Sequence, residues 1–239
     1  MKVNGMKLLL ILLAWLPTAL PLHAQEFSWA VNAGGKSASQ SGVSTVDDSG
    51  NIYVTGSFQG MVDFNPGTQV FSVTSEGAGD IFVCRLNSNG SLTWHRRIGG
   101  TLDESGTAIA VDAGGNVYVT GRYQGTVDFD PGAGTFNLTA TGGYDIFIIK
   151  LNSSGDFLWA KSLGGASQDY TTSLALDASG NVHLTGYFFS TADFDPGAGT
   201  TNLTSSGGAD VFICKLDTNG NLVWAKSIGG TSADIANDI

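Results

Sequence analysis

The sequence predicts an all-β protein made of tandem copies of one structural unit. Short segments alternate apolar and polar residues, and glycine-rich turns separate these segments. Tryptophan recurs with an unbroken spacing of 65 residues, at Trp29, Trp94, Trp159 and Trp224. A strict period of this length is typical of an array in which each unit buries its apolar face against its neighbours.

The composition favours a folded chain and argues against binding to nucleic acid. Of the 239 residues, 42% are hydrophobic and only 13% are charged, which is not the composition of a disordered chain. The formal net charge is −10. Because a negative surface repels phosphate backbones, we expect no nucleic-acid partner.

The first 24 residues have the pattern of a secretory signal peptide. Lys2 and Lys7 precede an apolar run that is broken by Pro17 and Pro21, and Ala24 supplies a small residue for cleavage. An uncleaved membrane anchor is the alternative, but the run is short and interrupted for a spanning helix. We therefore expect a secreted or outer-surface protein with no membrane span after cleavage.

Each unit contains four predicted strands. In the middle unit these are residues 107–111, residues 117–120, Asp145–Leu151 and a strand through residues 157–159. The third strand is apolar on both faces, as a buried strand must be. An additional segment, residues 124–143, separates the second strand from the third and predicts a hairpin of its own.

Four antiparallel strands per unit, in tandem and joined by glycine-rich turns, are typical of β-propeller blades. The strings AIAVDAGGNVYVTG and DIFIIKLNSSGDFLWAKSLGG resemble the SBBP repeat, a β-propeller repeat of bacterial secreted proteins. The resemblance extends over residues 26–239, and the DFDPG segment is similar to versions found in Bacteroidetes surface proteins. It implies a fold and an extracellular location, and no established activity.

The repeat also predicts the domain boundaries. After the signal peptide (1–24), residues 25–35 supply the last strand of an incomplete blade. Full repeats follow at 36–100, 101–165 and 166–230, and 231–239 begin a further repeat. The second and third strands of the closing blade are missing, which would leave exposed sheet edges. We therefore expect an incomplete propeller and a chain that is a fragment of a longer protein. If the native product ends at Ile239, closure would need a partner chain or an incomplete blade.

The segment VDFDPG, residues 127–132, returns as ADFDPG in the third unit and as VDFNPG in the first. Alternation along a strand places its two carboxylates on one face, and hard oxygen ligands of this kind suit Ca²⁺. The calcium candidates are Asp63, Asp128, Asp130, Asp193 and Asp195. The alternative is a turn, since Asp before Pro-Gly folds back on backbone N–H groups and the first unit has Asn65 at the second position. The turn is favoured, so we expect no cofactor, with calcium as the alternative.

Other recurrent residues have structural interpretations. One set of aspartates is expected to cap hairpins, at Asp47, Asp112 and Asp177. A second set is expected to accept backbone N–H groups where a loop enters the buried strand, at Asp80, Asp145 and Asp210. The tryptophans are expected to pack between blades. Cys84 and Cys214 are expected to be buried as small apolar side chains.

No catalytic constellation is visible in the sequence. His95 and His183 are remote from any nucleophile elbow, zinc motif or phosphate loop, and the acidic residues recur in every unit, whereas a catalytic site is normally one asymmetric arrangement. We expect a non-catalytic secreted or surface scaffold that binds a glycan or a protein through repeated, projecting insert segments. The alternative is the propeller part of a secreted enzyme whose catalytic residues lie beyond Ile239.

Overall fold

A computed structural model describes residues 40–239 of the chain. The predicted signal peptide and the predicted strand within 25–35 lie outside the described residues. All regular structure between residues 40 and 239 is β-strand, in eighteen strands. Within this part of the chain there is no helix of the length and apolarity needed to cross a membrane.

Each unit contributes four strands of seven or more residues and two strands of three residues. The first unit has β1 (Gln40–Val46), β2 (Ile52–Phe58), β3 (Met61–Asp63), β4 (Ser72–Thr74), β5 (Asp80–Leu86) and β6 (Leu92–Ile98). The second has β7 (Ser105–Val111), β8 (Val117–Tyr123), β9 (Thr126–Asp128), β10 (Asn137–Thr139), β11 (Asp145–Leu151) and β12 (Phe157–Gly165). The third has β13 (Asp169–Leu176), β14 (Val182–Phe188), β15 (Thr191–Asp193), β16 (Asn202–Thr204), β17 (Asp210–Leu216) and β18 (Leu222–Ile228).

The long strands of each unit form one antiparallel four-stranded sheet. The orders are β1-β2-β5-β6, β7-β8-β11-β12 and β13-β14-β17-β18, and the short strands pair as hairpins, of which β15-β16 extends the second sheet through β12. The hairpin predicted for residues 124–143 is therefore confirmed. β8 extends three residues beyond the predicted second strand, because its pairing with β11 continues through Gly121 to the end pair Tyr123–Asp145.

The three sheets are β-propeller blades packed face to face. The first strands lie closest together: β7 packs on β1 and β2, and β13 packs on β7 and β8. The predicted fold class, all-β with propeller blades, is confirmed.

The hydrophobic cores lie between blades. One core joins Tyr53, Val83 and Trp94 of the first unit to the facing residues of the second, and another joins the second unit to the third. Trp94 is 9% exposed and donates its Nε1–H to the Ser153 carbonyl in the next blade, at 3.1 Å. Trp224, which has no following blade among the described residues, is 38% exposed. Packing between blades is thus confirmed for Trp94 and Trp159, while Trp29 lies outside the described residues.

The position that ends the Tyr-Val-Thr-Gly segment requires glycine for a steric reason. A Cβ added at Gly121 would collide with the carbonyl oxygen of Ser105 on β7 and lie 2.8 Å from the Phe147 ring on β11. Gly186 has the same surroundings in the third unit, with Tyr170 and Phe212 in the corresponding places. The glycine lets an inner strand and an aromatic ring approach the second strand closely.

The Gly-Gly pair that ends the second unit has two different functions. A Cβ on Gly164 would lie 2.7 Å from Cγ of the buried Asp145. A Cβ on Gly165 would collide with the Thr191 carbonyl, because residues 164 and 165 of β12 pair with β15 of the next unit. The first glycine therefore accommodates a buried carboxyl group, and the second allows the next hairpin to join the sheet.

Substitution of Gly121 by Ala tests the steric interpretation. We expect a loss in the free energy of unfolding of about 1–3 kcal/mol or more, since the new methyl group must displace the β7 backbone. Gly230→Ala is the control, because a Cβ there has nothing within 4 Å, and it should change stability by less than about 0.5 kcal/mol. Equal effects of the two substitutions in denaturant titrations would contradict the explanation.

Candidate functional site

The VDFDPG segment forms a hydrogen-bonded double turn. Asp128 Oδ1 accepts the N–H groups of Asp130 at 3.0 Å and Phe136 at 2.8 Å, and Asp130 Oδ1 accepts the Gly132 N–H at 2.8 Å. The bonds recur in the first unit at Asp63 and Asn65 and in the third at Asp193 and Asp195. The turn expected from the sequence is confirmed.

The phenylalanine of this segment packs between the blades. Phe129 is fully buried, with its ring centroid 5.3 Å from that of Tyr123 and 5.1 Å from that of Phe147. It belongs to the same core as Trp94 of the preceding unit. Within the insert the exposed residues are Thr126, 132–137, Thr139, Thr141 and Gly142. The insert is therefore partly exposed, while its apolar residues Val127 and Phe129 fill the space between two blades.

The calcium candidates lie in three separate hairpins, one per unit. Each motif aspartate uses one carboxylate oxygen to accept backbone N–H groups. Within residues 40–239 no three His, Cys, Asp or Glu side chains are grouped so that they could hold a metal ion. Calcium binding therefore stays a prediction that rests on the free second oxygens of these aspartates.

The two other sets of recurrent aspartates act as the sequence predicted. Asp47 Oδ1 accepts the N–H groups of Ser49 and Asn51, both at 2.9 Å, which caps the β1–β2 turn. The same turn recurs at Asp112 and Asp177. Loop N–H groups are accepted by Asp80, Asp145 and Asp210 at 3.1, 2.9 and 3.1 Å. These carboxylates fix turns and loop entries.

The cysteines and His95 are also accounted for by packing. Cys84 and Cys214 are free and buried, and burial raises the pKa of each thiol to about 12, so both remain protonated. The ring of His95 stacks on Phe64 at 6.3 Å. Burial, together with the charge of Arg96, lowers the pKa of His95, so it is neutral at physiological pH.

A polar groove lies between the first two blades and contains two of the predicted residues. It is a cavity of about 710 Å³ between β6 and the hairpin of the second unit. Its lining residues are Glu76, His95, Arg96, Arg97, Gly99, Asp128, Asp130, Pro131, Gly132, Asp156 and Phe157. The double turn thus forms one wall of the groove, and β6 forms the other.

Ion pairs hold the cationic wall of the groove in place. Arg97 bonds the buried Asp80 and the exposed Glu76, each at 2.6 Å. Arg96 reaches across the junction to the carbonyl groups of Ser154 and Gly155, both at 2.8 Å. The second oxygens of the two aspartates in the opposite wall accept no hydrogen bond from the described protein. The groove therefore offers fixed donors on one side and free acceptors on the other.

The groove occurs where the units differ from one another. His95, Arg96 and Arg97 correspond to Ala-Lys-Ser in the second and third units, and Asp156 corresponds to Asn221 in the third. Sequence reasoning missed the groove because it followed residues that repeat. Arg96 and Arg97 can be found in the sequence as departures from the repeat. The double turn that faces them cannot be found in this way, because it is present in every unit.

Comparisons with known proteins identify the repeat type. Residues 93–122 match the family model of the SBBP β-propeller repeat. The chain is 29% identical over 151 residues, 53% of its length, to an uncharacterised WD repeat-containing protein, L264, of Acanthamoeba polyphaga mimivirus. It is 26% identical over 194 residues, 80% of its length, to the regulatory protein FlaEY of Caulobacter vibrioides. It spans 11% and 20% of the lengths of these relatives.

Two substitutions and a calcium titration separate the turn from a metal site. Asp128→Ala removes the acceptor of two N–H groups and should lower the free energy of unfolding by about 1–3 kcal/mol. Asp130→Asn should be nearly neutral, because Asn65 makes the same turn in the first unit. We expect no calorimetric heat and no rise in melting temperature at millimolar Ca²⁺. A saturable calcium response that Asp130→Asn abolishes would establish the metal site instead.

Proposed function

We propose that the chain is a non-catalytic, secreted or cell-surface β-propeller scaffold that binds a glycan or a protein partner, with a glycan as the favoured ligand. The observation that supports a binding function best is the polar groove between the first two blades. A rigid groove with hydrogen-bonding groups on both walls suits recognition of a ligand.

The charges of the groove favour a neutral ligand rich in hydroxyl groups. Two arginines face four carboxylates, which belong to Glu76, Asp128, Asp130 and Asp156. These groups give the groove a net charge of −2, so it would not select an anion, and their mixed signs suit a neutral ligand. Hydroxyl groups both donate and accept, so a sugar can use arginine donors and aspartate acceptors together.

The comparisons support the scaffold part of this proposal. The matched repeat is a β-propeller repeat, and one relative is described as WD repeat-containing. The other is described as a regulatory protein, a role compatible with binding. Secretion rests on the signal-peptide pattern of residues 1–24, and the glycan rests on the chemistry of the groove.

The double variant Asp130→Asn/Asp156→Asn tests the groove. Both replacements are residues that the chain itself has at equivalent positions, Asn65 and Asn221, so the fold should be kept. A glycan array should identify a ligand of the unchanged protein. Loss of two charged acceptors should then weaken its binding at least tenfold, which corresponds to about 1.4 kcal/mol.

Asp195→Asn is the matched control for this experiment. It makes the same change in the turn of the third unit, away from the groove, and should leave affinity unchanged. If the array detects no glycan, or if Asp195→Asn weakens binding as much as the double variant, the groove is not the glycan site. A pull-down from the host's extracellular fraction then addresses the protein-partner alternative.

A further inference from the structure

A pair of buried carboxylates lies at the junction between the second and third blades. Asp145 begins β11 and is 1% exposed, and Asp169 begins β13 and is 0% exposed. They approach each other across the Gly-Gly pair. Gly165 donates its N–H to Asp169 Oδ2 at 2.8 Å, and a Cβ on the adjacent Gly164 would lie 2.8 Å from Asp145 Oδ1. Two carboxylates buried beside the same Gly-Gly pair disfavour each other's ionisation, and the charge of Asp145 contributes to the raised pKa of Asp169.

Each of these carboxylates has one bonded oxygen and one unpartnered oxygen. Asp145 Oδ2 accepts the Thr141 N–H at 2.9 Å, but the Oδ1 atoms of Asp145 and Asp169 are buried without a hydrogen bond. The Gly142 N–H partly offsets the effect of burial on the pKa of Asp145, and the Phe189 N–H does so for Asp169. Neither N–H group bonds an Oδ1 atom. An unpaired buried carboxylate oxygen is costly, and this junction contains two.

No cation neutralises the pair. The groups that face it are Tyr123 of β8, whose hydroxyl bonds Ser162 at 2.7 Å, and Tyr170 of β13. Arg122 of β8 is used elsewhere: it pairs with Asp103 at 3.3 Å and lies over two tyrosine rings. In the described part of the chain, no Lys, Arg or His forms an ion pair with Asp145 or Asp169.

The first junction shows how the same fold accommodates a cation. Asp80 and Glu104 occupy the positions of Asp145 and Asp169 there, and Arg97 pairs with Asp80 at 2.6 Å. In the second unit the position of Arg97 is Ser162. The second junction therefore has the two acids of the first without its guanidinium group.

We propose that Asp145 and Asp169 share one proton, which makes the junction between the second and third blades a proton-binding site that responds to pH. A proton held by the pair would remove one of two buried negative charges that no cation neutralises. Burial, reinforced by the charge of Asp145, raises the pKa of Asp169 to about 7, and burial also raises the pKa of Asp145.

The direction of the pH effect follows from these shifts. In the unfolded chain Asp169 loses its proton near the usual aspartate pKa of about 3.9. In the folded chain it keeps the proton to about pH 7. The folded state thus binds a proton that the unfolded state has released. The contribution of this proton to the free energy of unfolding is fully present below about pH 4. It is lost as pH rises to about 7 and does not change at higher pH.

The decisive measurement is carbon NMR of the full chain labelled at the aspartate carboxyl carbons, titrated from about pH 4 to pH 9. We expect a carboxyl signal of the wild-type chain to titrate near neutral pH and to disappear from that range in Asp169→Asn. Glu104, whose pKa burial also raises to about 7, is unlabelled and does not interfere. Titration of every aspartate below about pH 5 would overturn the proposal.

Thermal unfolding of variants supplies the second test. In Asp169→Asn an amide donor replaces the shared proton. The free energy of unfolding should then fall less steeply with rising pH, because folding no longer takes up about one proton. Ser162→Arg with Tyr123→Phe copies Arg97 and Phe58 of the first unit and should lower the pKa of Asp145, the residue that corresponds to Asp80. Glu104→Gln is the control and should leave the aspartate signal unchanged.

A bound cation is the competing outcome. At alkaline pH, calcium or sodium chloride would then raise the melting temperature of the wild-type chain and leave that of Asp169→Asn unchanged. That result would replace the shared proton with a metal site. Equal salt effects on the two chains, together with the neutral aspartate titration, support the shared proton.

Discussion

The buried carboxylate at the start of each third strand constrains how one unit is joined to the next. Asp145 accepts a loop N–H group, begins the most buried strand of its blade, and lies so close to Gly164 that no side chain fits there. The next residue, Gly165, must also lack a side chain, because the following hairpin pairs with it. One buried charge thereby determines the loop, the end of the outer strand and the contact with the next blade.

Much of the fold could be predicted because its main signals are local and repeated. The period of 65 residues, the alternation within strands and the Pro-Gly and Gly-Asn turns each depend on residues close in sequence. β11 has the predicted bounds because its apolar run begins at Asp145 and ends at a turn. β8 was predicted too short because the need for Gly121 arises from Ser105 and Phe147, which lie on other strands.

The candidate site could be predicted less well, for a related physical reason. Asp128 and Asp130 were identified from the sequence, and their hydrogen bonds follow from the Pro-Gly turn that they precede. The groove they line depends on how far one blade lies from the next, which no local pattern encodes. Repetition also directs attention to shared residues, whereas Arg97 contributes to the site because its unit departs from the other two.

The pairing of β15 with the end of β12 has a consequence for how the array unfolds. Backbone hydrogen bonds cross a junction that side chains would otherwise hold alone, so one unit cannot open without exposing the edge of its neighbour. Part of the free energy that stabilises each blade therefore comes from its interface with the neighbouring blade, as in a one-dimensional array of coupled repeats. A ligand bound between two blades would therefore stabilise both of them. This stabilisation would extend beyond the residues that the ligand contacts and would decrease with distance along the array.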